Sequence, residues 1–299
     1  MHIDSLNYFF KVAKSKSIST VAKNTHISQS ALSQQILKLE DKLNVKLLNR
    51  SNKGVTLTPE GEILFKYCES ILSSYNKMQE ELSNSIHKKT FISIEAVESI
   101  SLTILPALVS KLKKVYNSYT INLNTIDCCS NLNLLNNICD VYICYRKPER
   151  NDSIVTKQLG NDEIVLVADK NFQINSIKKE QLFELPLILA SDKNCLKRFL
   201  CSELNCDEND LDNSNILYRT NSYFSALNGV LSTKAVTFIP MSMYNNYCST
   251  TNIKRIKIED FSLSIPIYIN YSEAFYKTNS DFIKSLKNML KGYLRIYQE

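Results

Sequence analysis

Two helical patterns separated by only three residues lie near the N-terminus, and few architectures accommodate them. From Ile3 to Ala13 the apolar residues Leu6, Phe9, Phe10 and Ala13 recur at helical spacing, giving a helix with one buried face. Ser17-Ile18-Ser19 punctuates, and a short helix carrying Val21 and Ala22 follows. Thr25-His26-Ile27 forms the turn. Ser28 then caps a third helix, whose Leu32, Ile36, Leu39 and Leu43 step by four, three and four along one face. The cap and the opposite face carry Ser28, Gln29, Ser30, Ser33, Gln34 and Lys38. Small hydroxyls and amides at a helix N-terminus suit a DNA major groove, where Gln bonds adenine bidentately and Ser bonds base edges or phosphate. The pattern predicts a helix-turn-helix over about residues 18–37.

Charge supports the same partner. Residues 1–58 carry nine Lys/Arg against three acids, whereas the other 241 residues carry 27 of each sign. A basic head on a neutral body is the signature of a module that faces a polyanion. Short strand patterns at Val45–Arg50 and Val55–Leu57 flank Ser51-Asn52-Lys53-Gly54, a hairpin that makes the module winged. Arg50 and Lys53 fall on that wing, suited to backbone phosphates or the minor groove.

Thr58 caps the next helix, and Pro59 occupies its first position, where a missing N–H costs nothing. Leu64, Cys68, Ile71, Tyr75, Met78 and Leu82 then step by 4, 3, 4, 3 and 4, a heptad seam suited to pairing with a second copy. Packing of the same stripe on its own domain is the alternative. Two-fold pairing would present two recognition helices to a palindromic site. Polar residues from Ser83 to Thr90 read as a hinge.

Beyond Phe91 the pattern changes to alternating strands and helices. Phe91–Ile94 and Ile121–Leu123 read as strands, and Leu102–Tyr116 as a helix interrupted early by Pro106. Short apolar runs at Val141–Tyr145, Glu163–Ala168, Leu187–Ala190 and Val236–Ile239 predict central parallel strands. Helical patterns fall near 179–184, 194–204, 222–232 and 279–297. The expected architecture is multidomain, α and α/β. A winged helix-turn-helix spans 1–58, and a dimerisation helix and hinge span 59–90. A two-subdomain α/β body spans 91–299, with subdomain I at about 91–160 and 266–299 and subdomain II at about 161–265. Ligands of such sheets sit at strand C-termini and helix N-termini.

An ordered set of residues resembles the DNA-binding domain of LysR-type transcriptional regulators. It runs through Leu6-x-x-Phe9, Val12-Ala13, Ser17-Ile18-Ser19, Val21-Ala22 and Ile27 to Ile36. It continues through Leu39-Glu40, Leu43, Leu47-Leu48-x-Arg50 and Leu57-Thr58-x-x-Gly61. Asn44 stands where Gly is usual, Leu48 where Phe is usual, and Ser30 where Pro is common. The resemblance implies that Gln29, Ser30, Ser33 and Gln34 approach bases or nearby phosphates, with Arg50 and Thr58 on the DNA backbone. It also implies a homodimer that typically doubles into a tetramer. More loosely, Ile94-x-Ala96, Leu105-Pro106-x-Leu108, Cys139-Asp140-Val141, Leu185–Ile188, Phe238–Pro240 and Pro266-Ile267 resemble the family's periplasmic-binding-protein-like effector domain. Glu95 and the Lys234-Ala235-Val236 run depart from Gly-rich family patterns.

Ser99 matches a family position that often touches effector, and Ser101 and Thr103 extend the same loop into a helix start. Cys128, Ser191 and Thr220 follow strands in Asp127-Cys128-Cys129, Ala190-Ser191-Asp192 and Thr220-Asn221-Ser222. Simple local capping is the alternative at each of these positions. A small-molecule effector is the implied ligand.

Cys195, Cys201 and Cys206, near Lys193, Lys197 and Arg198, raise a redox-sensing alternative, because nearby cations lower a thiol's pKa. A cytoplasmic solute-binding protein without specific DNA recognition is another. Catalysis and metal binding find little support. The three histidines are His2, His26 and His87, so the body has none, and neither a C-x-x-C nor a P-loop occurs. No enzyme activity, metal or cofactor is expected. With no signal-peptide pattern and no long apolar run, the chain is expected in the cytoplasm, away from membranes and with reduced cysteines.

Overall fold

In a computed structural model, the structure describes residues 2–51, 54–85, 90–126, 132–190, 195–212, 214–248 and 251–296. The chain divides into two units, Met1–Lys88 with Asn136–Ile138, and the remainder from Lys89.

In the first unit, α1 (Ile3–Ser15) buries Leu6, Phe9 and Val12, while Phe10 lies on the flank and stacks on Phe65 at 5.0 Å. Ser17 caps α2 (Ile18–Asn24) by accepting the Thr20 N–H at 3.2 Å, and Val21 and Ala22 face inward. His26 carries the intervening turn at φ 55°. Ser28 caps α3 (Gln29–Leu43) as its sequence position predicts, accepting the Ala31 N–H at 3.1 Å. Leu32, Ile36 and Leu39 join the core, each contributing about 1.5–3 kcal/mol of burial. Leu43, expected on the same face, is 38% exposed. The helix ends at Asn44 in the left-handed region (φ 54°), a conformation Asn tolerates, so the usual Gly is dispensable here.

The wing pairs β1 (Leu48–Ser51) with β2 (Gly54–Leu57), antiparallel, with Arg50 opposite Val55. Gly54 has φ 119°, and a Cβ there would meet the Lys16 carbonyl at 2.9 Å, so the turn requires glycine. Thr58 caps α4 (Pro59–Ser85) through the Gly61 N–H at 3.0 Å. α4 divides its apolar residues between two tasks. Cys68 is fully buried and Leu64 and Leu72 pack on the same core, whereas Ile63, Tyr67, Ile71, Met78 and Leu82 are exposed.

The second unit is built on a mixed sheet. Its strands are β3 (Thr90–Val97), β4 (Tyr119–Ile126), β5 (Val141–Cys144), β6 (Ile154–Asp169) and β7 (Ser176–Ile177). They continue with β8 (Leu187–Ala190), β9 (Ile216–Thr220), β10 (Val236–Pro240), β11 (Ile253–Ile258) and β12 (Leu263–Ser272). The order is β4-β3-β5-β12-β6-β10-β8-β9, with β11 beside β6 and β7 beside β11. β3 runs parallel to β4 and β5, and β8 runs parallel to β9 and β10. The expectation of parallel central strands fails at the centre: β6 is antiparallel to β10, β11 and β12, and β5 is antiparallel to β12. A continuous apolar run reports burial on both faces and carries no information on direction. β12 pairs along its whole length with Ile154–Ile164 of β6, with a register shift beside Leu159. Gly160 follows, and a Cβ there would press to 3.3 Å from Leu294.

The described α-helices of this unit are α5 (Leu105–Val115), α6 (Leu132–Leu135), α7 (Cys195–Leu204), α8 (Glu208–Asp212), α9 (Tyr223–Ser232), α10 (Met241–Tyr247) and α11 (Glu273–Ile296). The helical pattern expected near 179–184 is a 3-10 helix at Glu180–Glu184. A wide helical turn at Ile100–Ile104 precedes α5, and Pro106 falls in the first turn of α5, where it removes no needed donor. α11 begins earlier than its periodicity predicts and kinks at Asn279 (φ −127°). Beyond the kink, Phe282, Ile283, Leu286, Leu290 and Leu294 are buried.

Candidate nucleic-acid interface and effector site

The face of α3 opposite its core residues leaves Ser28, Gln29, Ser30, Gln34 and Lys38 exposed, with Ser33 half-buried. Leu37, 44% exposed, lies among them and was not singled out by its sequence; it offers an apolar contact of the kind a thymine methyl accepts. The Ser28 and Ser30 hydroxyls stand 3.0 Å apart.

Arg50 crosses from the wing onto this face. Its Nη1 donates to Ser33 Oγ at 2.6 Å, and its Nη2 lies 3.6 Å from Glu40 Oε2. The buried Glu40 accepts the backbone N–H groups of Leu47 and Leu48 on Oε1, at 2.8 and 3.1 Å. Glu40 thus fixes the start of the wing and orients the guanidinium. Its sequence signal was its place beside Leu39 within the helix, which gave no hint of a backbone partner seven residues on. Thr58, which the family resemblance assigns to the DNA backbone, caps α4. It is buried, its hydroxyl donates to the Lys46 carbonyl at 2.6 Å, and it accepts the Gly61 N–H. Its task is to join the wing to α4. Lys53 lies outside the described residues.

In the second unit, Ser99 is fully buried, and its Oγ lies 2.7 Å from the Tyr145 hydroxyl. Tyr145 donates to Asp162 Oδ2 at 3.1 Å, and Asp162 also accepts the Ser242 hydroxyl at 2.6 Å and the Ser242 N–H at 3.1 Å. Burial pushes the Asp162 carboxyl above its ordinary range, against the pull of the Ser242 and Tyr145 hydrogen bonds. Burial also pushes the Tyr145 phenol well up. Ser101 pairs with Thr125 at 2.7 Å, and Thr103 donates back to the Ser99 carbonyl. Thr220 Oγ1 accepts the Ser222 N–H at 3.2 Å. The described hydroxyls expected to meet effector therefore all have partners within the protein, the local-bonding alternative weighed for them. Tyr145, Asp162 and Ser242, which link to Ser99, were not anticipated, because they are far apart in sequence. Cys128 and Ser191 lie outside the described residues.

Of the three cysteines singled out, the side chains of Cys201 and Cys206 are described, and burial pushes both thiols up, against a reactive thiolate. Burial pushes the Cys201 thiol up to about 12, with neighbouring Cys206 raising it further and Lys197 only partly opposing. Lys197 Nζ is engaged by Asp212 at 2.9 Å and Glu208 at 3.3 Å, which offsets its field. The expectation that nearby cations lower the thiol pKa is thus overturned at Cys201 by desolvation. Among the described residues, no group of three His, Cys, Asp or Glu is placed to hold a metal, and no helix is long and apolar enough to cross a membrane.

Comparison with known proteins agrees with both halves. The family model for the bacterial regulatory helix-turn-helix protein, lysR family, matches residues 3–62, and that for the LysR substrate binding domain matches residues 89–290. A probable RuBisCO transcriptional regulator of Emiliania huxleyi is 25% identical over 298 residues, covering 96% of this chain and 95% of that protein. The HTH-type transcriptional regulator SoxR of Arthrobacter sp. (strain TE1826) is 25% identical over 297 residues, covering 96% and 97%. The fold is similar to that of CbnR, a LysR family transcriptional regulator, with a TM-score of 0.70 at 17% identity and 100% of both chains covered. The winged head, the mixed α/β body and these matches assign the chain to the LysR family of DNA-binding transcriptional regulators, with an N-terminal helix-turn-helix and a C-terminal effector-binding domain.

Proposed function

We propose that the chain binds interrupted palindromic promoter sites as a homodimer, or a tetramer built from it, and responds to a small-molecule effector. The observation that carries this reading is the exposed polar edge of α3, from Gln29 to Lys38, set against the buried Leu32–Ile36–Leu39 face. Gln29, Ser30, Ser33 and Gln34 are assigned to base edges and nearby phosphates, and Lys38, Arg50 and Lys53 to the DNA backbone. Ser33 and Arg50 act together, since one hydrogen bond joins them.

Self-association is assigned to the exposed apolar side of α4, continuing through Tyr75 toward Leu82. Residues 1–58, 59–90 and 91–299 are the DNA-binding, linking and effector-binding segments, the last divided near 160 and 266. The effector is assigned to the region of Ser99, Ser101, Thr103 and Thr220. A ligand that binds one arrangement of this domain more tightly shifts the population of oligomer shapes, and so the spacing or bending of the bound DNA.

Footprinting of the full chain on promoter fragments, over a salt series, tests the reading. Protection of a two-fold site, with affinity falling steeply as salt rises, is the expected result. Equal affinity for promoter and random DNA contradicts it.

A further inference from the structure

The N-terminus of α9 is filled by a side chain of the same protein. Ser222 caps the helix by accepting the Ser225 N–H at 3.2 Å, and Thr220 holds the Ser222 N–H from behind. The Ser222 hydroxyl then donates to Glu98 Oε1 at 2.6 Å, and the Tyr223 N–H donates to Glu98 Oε2 at 2.6 Å. Both oxygens of one carboxylate therefore occupy donors of the first helical turn, where the helix dipole favours an anion.

Glu98 also adjoins the candidate effector position. It follows β3 and immediately precedes the buried Ser99, so one short segment carries both the hydroxyl and the carboxylate. Asp162 makes a second carboxylate link nearby in the fold, joining Tyr145, which follows β5, to Ser242 in α10.

We propose that Glu98 sets the charge selectivity of the effector site: it is a resident carboxylate in the place an acidic effector group would take on α9. This inference rests on reading the body as an effector domain. One N–H and one O–H are shared by the two Glu98 oxygens. An incoming carboxylate must strip these donors from Glu98 and then stand beside a second negative charge. A neutral or cationic ligand meets neither obstacle. The site therefore selects against anionic effectors, and removing the Glu98 carboxylate converts it into an anion site.

Chemical rescue tests this in the full chain. Thermal unfolding of wild type, Glu98→Ala and Glu98→Gln is followed with increasing sodium acetate against sodium chloride at equal ionic strength. Glu98→Ala is expected to lower the midpoint by about 3 °C or more, the effect of losing two charge-assisted hydrogen bonds. Acetate, and not chloride, should then restore at least half of that loss, saturably. Wild type and Glu98→Gln should respond to the two salts alike. Glu98→Gln retains an acceptor on the helix, so it reads the same contact with a smaller loss if Glu98→Ala does not fold.

Equal responses of Glu98→Ala to acetate and chloride overturn the proposal. So does saturable stabilisation of wild type by acetate, or a Glu98→Gln midpoint equal to wild type where Glu98→Ala is insoluble. Operator binding, measured separately, distinguishes failure of this proposal from failure of the regulator reading. A chain that footprints an operator but shows no rescue loses only the Glu98 assignment.

Discussion

Glu40 and Arg50 meet at 3.6 Å, and the acid is already committed to two backbone N–H groups of the wing. The two residues should consequently fail in different ways. Glu40→Ala leaves the Leu47 and Leu48 N–H groups without their carboxylate and should destabilise the head by about 2–3 kcal/mol. Arg50→Ala, whose partner pair is partly exposed, should cost under about 1 kcal/mol of stability. It should nonetheless weaken DNA binding by freeing Ser33 and removing a cation. Chemical denaturation alongside mobility shifts separates the two, and equal stability losses would contradict the division of roles.

The two faces of α4 predict a second contrast. Tyr67 is 58% exposed, whereas Cys68, its neighbour in sequence, is fully buried. Tyr67→Glu combined with Met78→Glu should weaken self-association at least tenfold, about 1.4 kcal/mol, while leaving the head folded. Sedimentation velocity over a concentration series reads this directly. An unchanged dimer in the double variant would place the pairing surface elsewhere.

Asp162 should make stability depend on pH in a particular direction. Its folded-state pKa lies above the ordinary carboxylate value, so the native state holds a proton that the unfolded chain releases at lower pH. Stability then falls as pH rises between the two values, and the cost of the buried charge is complete above the folded one. Asp162→Asn carries no such cost. Relative to that variant, wild type should be most favoured near the acid end and lose ground from about pH 4 upward. Parallel midpoint-against-pH curves would contradict the assignment.

The Cys201 thiol, pushed up to about 12, should be a poor nucleophile at neutral pH, with a thiolate fraction on the order of 10⁻⁵. Alkylation of the native protein, read by mass spectrometry, should spare Cys201, and Cys201→Ser should leave the DNA affinity unchanged with or without peroxide. Rapid labelling of Cys201 or loss of a peroxide response in that variant would restore the redox reading.

The head was largely legible in the sequence because its signals are local. Ser28 caps α3 where its position predicts, Gly54 turns the wing, and the Leu32–Ile36–Leu39 step identifies the buried face. What stayed hidden in the head depends on long-range partners: Glu40 reaches Leu47 and Leu48, and Thr58 bonds the carbonyl of Lys46. Heptad periodicity located the apolar side of α4 but did not separate Leu64 and Cys68, which pack inward, from exposed residues such as Ile63 and Tyr67, since both sets repeat at helical spacing. In the body, apolar runs located strands but not their direction, and β6 proved antiparallel to its neighbours. The Ser99–Tyr145–Asp162–Ser242 chain draws on four separate segments, and no local pattern in any of them announces the others.

The central claim is that the outward edge of α3 reads bases. Its most direct test is the ratio of operator to random-DNA affinity for wild type and for Gln29→Ala/Gln34→Ala, measured at one fixed salt concentration. Each amide lost should cost about 1–3 kcal/mol of discrimination, so the double variant should retain random-DNA binding and lose most of its preference for the operator. An unchanged ratio, with the variant folded as wild type, would mean that sequence is read by some other part of the molecule.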